Sequence, residues 1–210
     1  MNIKFFNVAL GIALTATTLS ASAQKSYTSG VVSYTSEVRG QAADVKQYFT
    51  ADSTAIIINA GPANIKVLSN AKHDFLAVLL DVPVASIKKA GIATPSELED
   101  GMNQLPNFTF TTTTEAKQIS GFNCKKVVAK EAKSGKTYDV WITNDFTVPE
   151  TAFPIYYTKV GGFPVQYTSF QQGQEISITI ASISDAKAPA GTFAIGKDFT
   201  RGSMADLSAQ

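Results

Sequence analysis

Ile176, Ile178 and Ile180 alternate with Ser177, Thr179 and Ala181. A period of two places the large apolar side chains on one face and the small ones on the other, as in a half-buried strand. Alternation or enrichment in β-branched and aromatic residues predicts further strands over residues 31–38, 47–50, 54–58, 65–68, 108–111, 123–130, 137–143 and 164–170, with 175–184 carrying the isoleucine pattern. Gly61-Pro62, Ser134-Gly135 and Gln172-Gly173 fall between such runs and mark turns, the last two as hairpins. Residues 75–80 form an unbroken apolar run, which periodicity alone does not divide between strand and helix; strand is favoured, ending at Pro83. Residues 84–90 read as one or two helical turns stopped by Gly91.

Helix signals concentrate at one place. Thr94-Pro95-Ser96-Glu97 combines a hydroxyl N-cap, proline at the first helical position and glutamate three residues after the cap, a capping box. A helix over Pro95–Gln104 follows, with Glu97, Glu99 and Asp100 at its positive end. After Phe199 the residues are small and polar, and 200–210 is expected to be a flexible tail.

The first 23 residues break the β pattern. Lys4 precedes the apolar run Val8 to Leu14, and Ala21-Ser22-Ala23 is a small-residue exit. That arrangement is a secretory signal peptide, with cleavage expected at Ala23-Gln24. The run is shorter than the roughly 20 apolar residues a bilayer span requires. The expected organisation is therefore a signal peptide over 1–23, one β-rich domain over 24–199, and the tail. The expected location is the periplasm or the extracellular space, with no transmembrane segment.

Charge narrows the partners. Lys plus Arg number 18 and Asp plus Glu 17, so loss of Lys4 leaves a neutral chain. Nucleic-acid binding rests on many cationic contacts to phosphate, so no nucleic-acid partner is expected. Cys124 is the single cysteine and excludes an intramolecular disulfide.

Candidate chemistry is sparse. His73 is the only histidine; one histidine and one distant cysteine do not make a transition-metal site, so no metal and no cofactor are expected. His73 reads as a surface residue in a turn. Cys124 reads as a core thiol, although Lys125 and Lys126 beside it would favour the thiolate if it were exposed. Asp139 and Asp145 flank Trp141 and are the one carboxylate pair that could serve a hydrolase, a reading without a supporting motif. No catalytic residue is assigned, and the chain is not expected to be an enzyme. The more suggestive feature is aromatic: Trp141, Phe153, Tyr156, Tyr157, Phe163 and Tyr167 crowd one stretch. Such rings suit either an ordinary core or a ligand pocket.

Three blocks carry a resemblance. They are Ile119-Ser120-Gly121-Phe122-Asn123-Cys124-Lys125-Lys126, the run from Tyr138 to Phe146 containing Trp141-Ile142-Thr143, and Gly161-Gly162-Phe163-Pro164-Val165. In this order they resemble exported proteins of unknown function related to the GLPGLI family. Phe193 to Phe199 is similar to the closing block of that set, with Gly196 where proline is common. The departure from a full GLPGLI string points to a sister family. The resemblance implies a lipoprotein-carrier-like (LolA/LolB-like) fold: mainly β (α+β), a curved antiparallel sheet or half-barrel with one or two short helices on its concave side, Pro95–Gln104 as the plug. It implies no established activity, and a fold does not fix one.

The expectation from sequence is thus a periplasmic or secreted binding module for an apolar or lipid-like ligand, with the six aromatic residues as candidate contacts. The alternative is an envelope protein–protein interaction or scaffold module without a small ligand, which requires an exposed apolar patch or a free sheet edge.

Overall fold

The structure is a computed structural model, and it describes residues 24–38, 41–171 and 173–208. The expected signal peptide and part of the Gln172-Gly173 turn lie outside the described residues.

Two antiparallel meanders form one sheet. The first comprises β2 (Gly30–Val38), β3 (Gln41–Phe49), β4 (Ser53–Ala60), β5 (Ala63–Asn70), β6 (Leu76–Val82) and β7 (Ile87–Ile92). The second comprises β8 (Phe108–Ile119), β9 (Phe122–Glu131), β10 (Thr137–Thr143), β12 (Phe163–Gln171) and β13 (Gln174–Ser184). They join where β13 pairs antiparallel with β2, giving the order β14-β7-β6-β5-β4-β3-β2-β13-β12-β10-β9-β8, with β14 at Thr200–Ser203. The two ends of this twelve-stranded order do not pair with each other, so the sheet is not a closed barrel. The mainly β expectation holds at this level. A separate pair, β1 (Lys25–Ser26) and β11 (Phe146–Thr147), runs parallel, and Tyr27 packs edge-on against Phe146 with centroids 5.7 Å apart.

Register explains the unbroken apolar runs. Directly paired residues project to the same side of a sheet. Ala55, Leu68 and Ala77 are paired in sequence across β4, β5 and β6, and they pack against Phe193, Ile195 and Phe199 of the segment before β14. Gln47, Ile56, Val67 and Val78 are also paired in sequence, and they project to the opposite side. Strands with apolar residues on both faces lose their alternation, which is why residues 75–80 were ambiguous.

Three expectations are corrected. The helix α1 forms over Pro95–Gln104 with its capping box complete: the Glu97 amide donates to Thr94 Oγ1 at 3.3 Å, and the Thr94 amide donates to Glu97 Oε2 at 2.7 Å. Yet it buries no residue, and Met102 is 44% exposed. Leu98 and Met102 alone make too narrow a stripe to anchor it as a plug. Residues 84–90 are not helical beyond one 3-10 turn at Pro83–Ala85; Ser86 then adopts φ 54°, and β7 pairs back on β6. The tail does not fray at once: β14 pairs parallel with β7, and a short helix α2 follows at Ala205–Ser208.

The β8 edge is blunted. Between Thr112 and Ala116 the strand bulges by two residues, and Thr113 Oγ1 donates back to the Lys126 carbonyl at 3.0 Å. A bulge with charged neighbours discourages pairing with another chain. Among the described residues no helix is long and apolar enough to cross a membrane.

Candidate functional site

The element that crosses the sheet is the connection from β11 to β12, residues 148–162. Its sequence builds two successive 3-10 turns, each opened by a proline. Pro149 precedes Glu150–Ala152, and Pro154 precedes Ile155–Tyr157. The amides of Ala152 and Tyr157 donate to the Pro149 and Pro154 carbonyls at 3.0 and 2.8 Å. The last residue of each turn is buried: Ala152 is 1% and Tyr157 0% exposed. Gly161 at φ 92° and Gly162 end the connection; a Cβ on Gly162 would lie 2.9 Å from the Thr143 carbonyl oxygen. That gives a physical reason for the paired glycines of the third block.

This strap is fastened at both ends. On one side Gln47 Nε2 donates to the Ala152 carbonyl at 3.1 Å, and Thr54 Oγ1 donates to the Thr151 carbonyl. Thr151 Oγ1 in turn donates to the Thr50 carbonyl. On the other side Tyr157 OH donates to the Thr168 carbonyl at 3.0 Å, Tyr156 OH bonds Ser169 Oγ at 3.3 Å, and the Phe170 amide donates to Tyr156 OH at 3.2 Å. The strap therefore runs from β3 and β4 to β12, across β2 and β13.

Between strap and sheet lies a groove of about 530 Å³, within the usual range for a small-ligand site. Its floor includes Tyr34, Ile56 and Tyr167, and its strap wall includes Phe153, Pro154, Ile155 and Tyr156. Ser69, Asn70, Gln171 and Thr158 add uncharged polar groups, and His73 and Glu150 also line it. His73 sits at φ 58° in the β5–β6 turn, its amide donating to the Asn70 carbonyl at 3.1 Å. The expected surface histidine in a turn is found there.

The six candidate aromatics divide. Phe153, Tyr156 and Tyr167 line the groove. Tyr157 and Phe163 belong to the core: Tyr157 stacks on Phe108 at 5.4 Å, and Phe163 packs edge-on against Phe153 at 5.5 Å. Trp141 is half-buried against the core cluster and does not line the groove; it is paired with Lys126 and Gln166, with Lys117 Nζ 4.1 Å from its ring centroid. Asp139 and Asp145 are separated as well. Asp139 pairs with Lys126 at 2.9 Å, and Asp145 accepts from the Asn123 amide at 2.8 Å. Cys124 is 1% exposed, and burial pushes its thiol up, away from thiolate.

Burial also sets the state of the tyrosines. Tyr34 is pushed up to about 12 by desolvation, with the neighbouring Tyr156 phenol adding to the effect. Tyr156 and Tyr167 are raised for the same first reason. All three rings that reach the groove with a hydroxyl therefore stay neutral across the physiological range. Tyr34, Gln47, Thr54, Ser69 and Asn70 were missed from sequence. They come from four separate strands, and only long-range register brings them together.

No protein-family model matches this chain, and no curated protein matches it. Among solved structures it is similar to PNGF-II in a C2 crystal form, with 17% identity and TM-score 0.46 over 86% of this chain and 32% of that one. The P21 form gives 15% identity and TM-score 0.47 over the same shares, 86% and 32%. The chain thus spans about a third of the length of PNGF-II.

Proposed function

We propose that this chain is an exported binding module that holds a small, partly apolar ligand in the groove beneath the 148–162 strap. The observation that carries the reading is the groove itself: about 530 Å³, with aromatic and aliphatic walls and a few convergent polar groups. Export rests on the pattern of residues 1–23. The apolar or lipid-like class of ligand rests on Tyr34, Ile56, Phe153, Ile155, Tyr156 and Tyr167. The groove takes over the role that the sequence reading gave to a space under α1.

Native mass spectrometry of protein purified from its producing cells without detergent tests the reading. A bound mass that disappears on organic extraction, and that is missing from Ser69→Trp and Ser169→Trp variants with wild-type circular dichroism, supports it. Unliganded protein throughout, together with no thermal shift against a panel of amphiphiles, overturns it. A ligand at one hundred times its Kd stabilises by about 2.7 kcal/mol, a shift that such a panel detects. Trp141 is a poor reporter for this purpose, since Lys117 and Gln166 surround it away from the groove.

A further inference from the structure

The polar groups of the groove are not all spoken for. Tyr167 is 7% exposed and lines the groove, and no described protein group pairs with its hydroxyl. The Tyr34 hydroxyl is likewise unpartnered among the described residues. A ligand group that pairs with both hydroxyls exchanges their bonds to water for two directed hydrogen bonds. Two phenol hydroxyls, each a donor and an acceptor, match an alcohol or glycerol group, which both accepts and donates. Glu150 is the one carboxylate among the lining residues, and it disfavours an anion.

The same sheet face carries further apolar residues outside the groove lining. Ile58, Ile65 and Leu80 are paired in sequence outward from Tyr34 and Val45, and Ile56, Val67 and Val78 run beside them. All six are half-buried, and none belongs to either core cluster. Adjacent strands are about 4.8 Å apart, so three strands offer roughly 10–15 Å of apolar floor, the reach of a medium hydrocarbon chain.

We infer that the groove takes a neutral single-chain amphiphile. Its hydroxyl-bearing head group meets Tyr34 and Tyr167, and its hydrocarbon chain lies across Ile56, Ile58, Ile65 and Val67. This rests on the binding reading above and adds the class of ligand. The raised tyrosines support it, because they remain donors and do not become phenolates.

Isothermal titration with 1-monolauroylglycerol, laurate and maltose, each below any micellar concentration, tests the inference. Monolauroylglycerol is expected to bind at least tenfold more tightly than laurate, and maltose not to bind. Tyr34→Phe and Tyr167→Phe, which keep the rings, are expected to weaken monolauroylglycerol about threefold to tenfold each and to leave laurate unchanged. Ile58→Asn is expected to weaken both lipids together. Laurate binding as tightly as monolauroylglycerol, or insensitivity to both Phe variants, overturns the inference and leaves the groove reading standing. Tight maltose binding overturns the amphiphile class. Failure of all three probes, with an empty groove by native mass spectrometry, removes the binding reading itself.

Discussion

Replacing Tyr157 tests whether the strap, and not α1, covers the sheet. Its side chain is 0% exposed, stacks on Phe108 at 5.4 Å and meets Tyr156 and Tyr167 edge-on at 4.8 and 5.5 Å. Tyr157→Phe keeps the ring and deletes one hydrogen bond, to the Thr168 carbonyl at 3.0 Å. The expected loss is about 1 kcal/mol. Tyr157→Ala also removes the buried ring and leaves a cavity, at a cost of about 3–5 kcal/mol. That is a large share of the roughly 5–15 kcal/mol that holds a domain folded. Met102→Ala on α1 is expected to cost under about 0.5 kcal/mol, because that side chain is already 44% exposed. Urea denaturation followed by far-ultraviolet circular dichroism reads all three. A Tyr157→Ala loss below about 1 kcal/mol, or a Met102→Ala loss that equals it, would refute the argument that the strap is seated on the core.

Three further outcomes follow from the same packing. Backbone amides of Ser134 and Lys133 lower the Glu131 carboxyl to about 2, so its contribution is present above its ordinary value and is lost as pH falls toward 2; thermal scans between pH 2 and 6 should show a steeper acid decline for wild type than for Glu131→Gln. The tyrosines behave oppositely: a raised folded value contributes stability that is whole below the ordinary phenol value and lost as pH rises through the folded one. Absorbance titration at about 295 nm should therefore show Tyr34 and Tyr167 ionising only with unfolding, beyond the ordinary phenol value of about 10, and ionisation at that ordinary value would place them in water. Cys124, at 1% exposure, should react with a thiol reagent only after denaturant is added, and prompt reaction in the native state would contradict its place in the core.

Local signals in the chain were read well. The capping box at Thr94 and Glu97, the hairpin at Ser134-Gly135, the antiparallel pairing of β12 with β13, and the isoleucine alternation of β13 each depend on neighbours within a few residues. The length of β8 was less legible, because Thr113 and Glu115 bulge out of register and Ser120-Gly121 turns back on left-handed backbone at φ 51° and 85°. The capped helix misled about its place: a good start signal says that a helix forms, not what it packs against. The short closing strand was hidden for a related reason. Thr200 to Ser203 are all exposed and show no apolar alternation, and the edge of β7 gives them a partner. The groove was half legible. The aromatic crowding of residues 153–167 pointed to its strap side, but Tyr34, Ser69 and Asn70 carry no local mark that they face the same space.

Amide chemical-shift mapping of the full chain with 1-monolauroylglycerol tests the central claim most directly. The account predicts saturable shifts at Ser69, Asn70, Thr151 and Ser169, around the groove, and unchanged signals at α1 and at the Trp141–Lys117 face. Shifts confined to α1 or the sheet edges, or an unchanged spectrum at saturating probe, would contradict it.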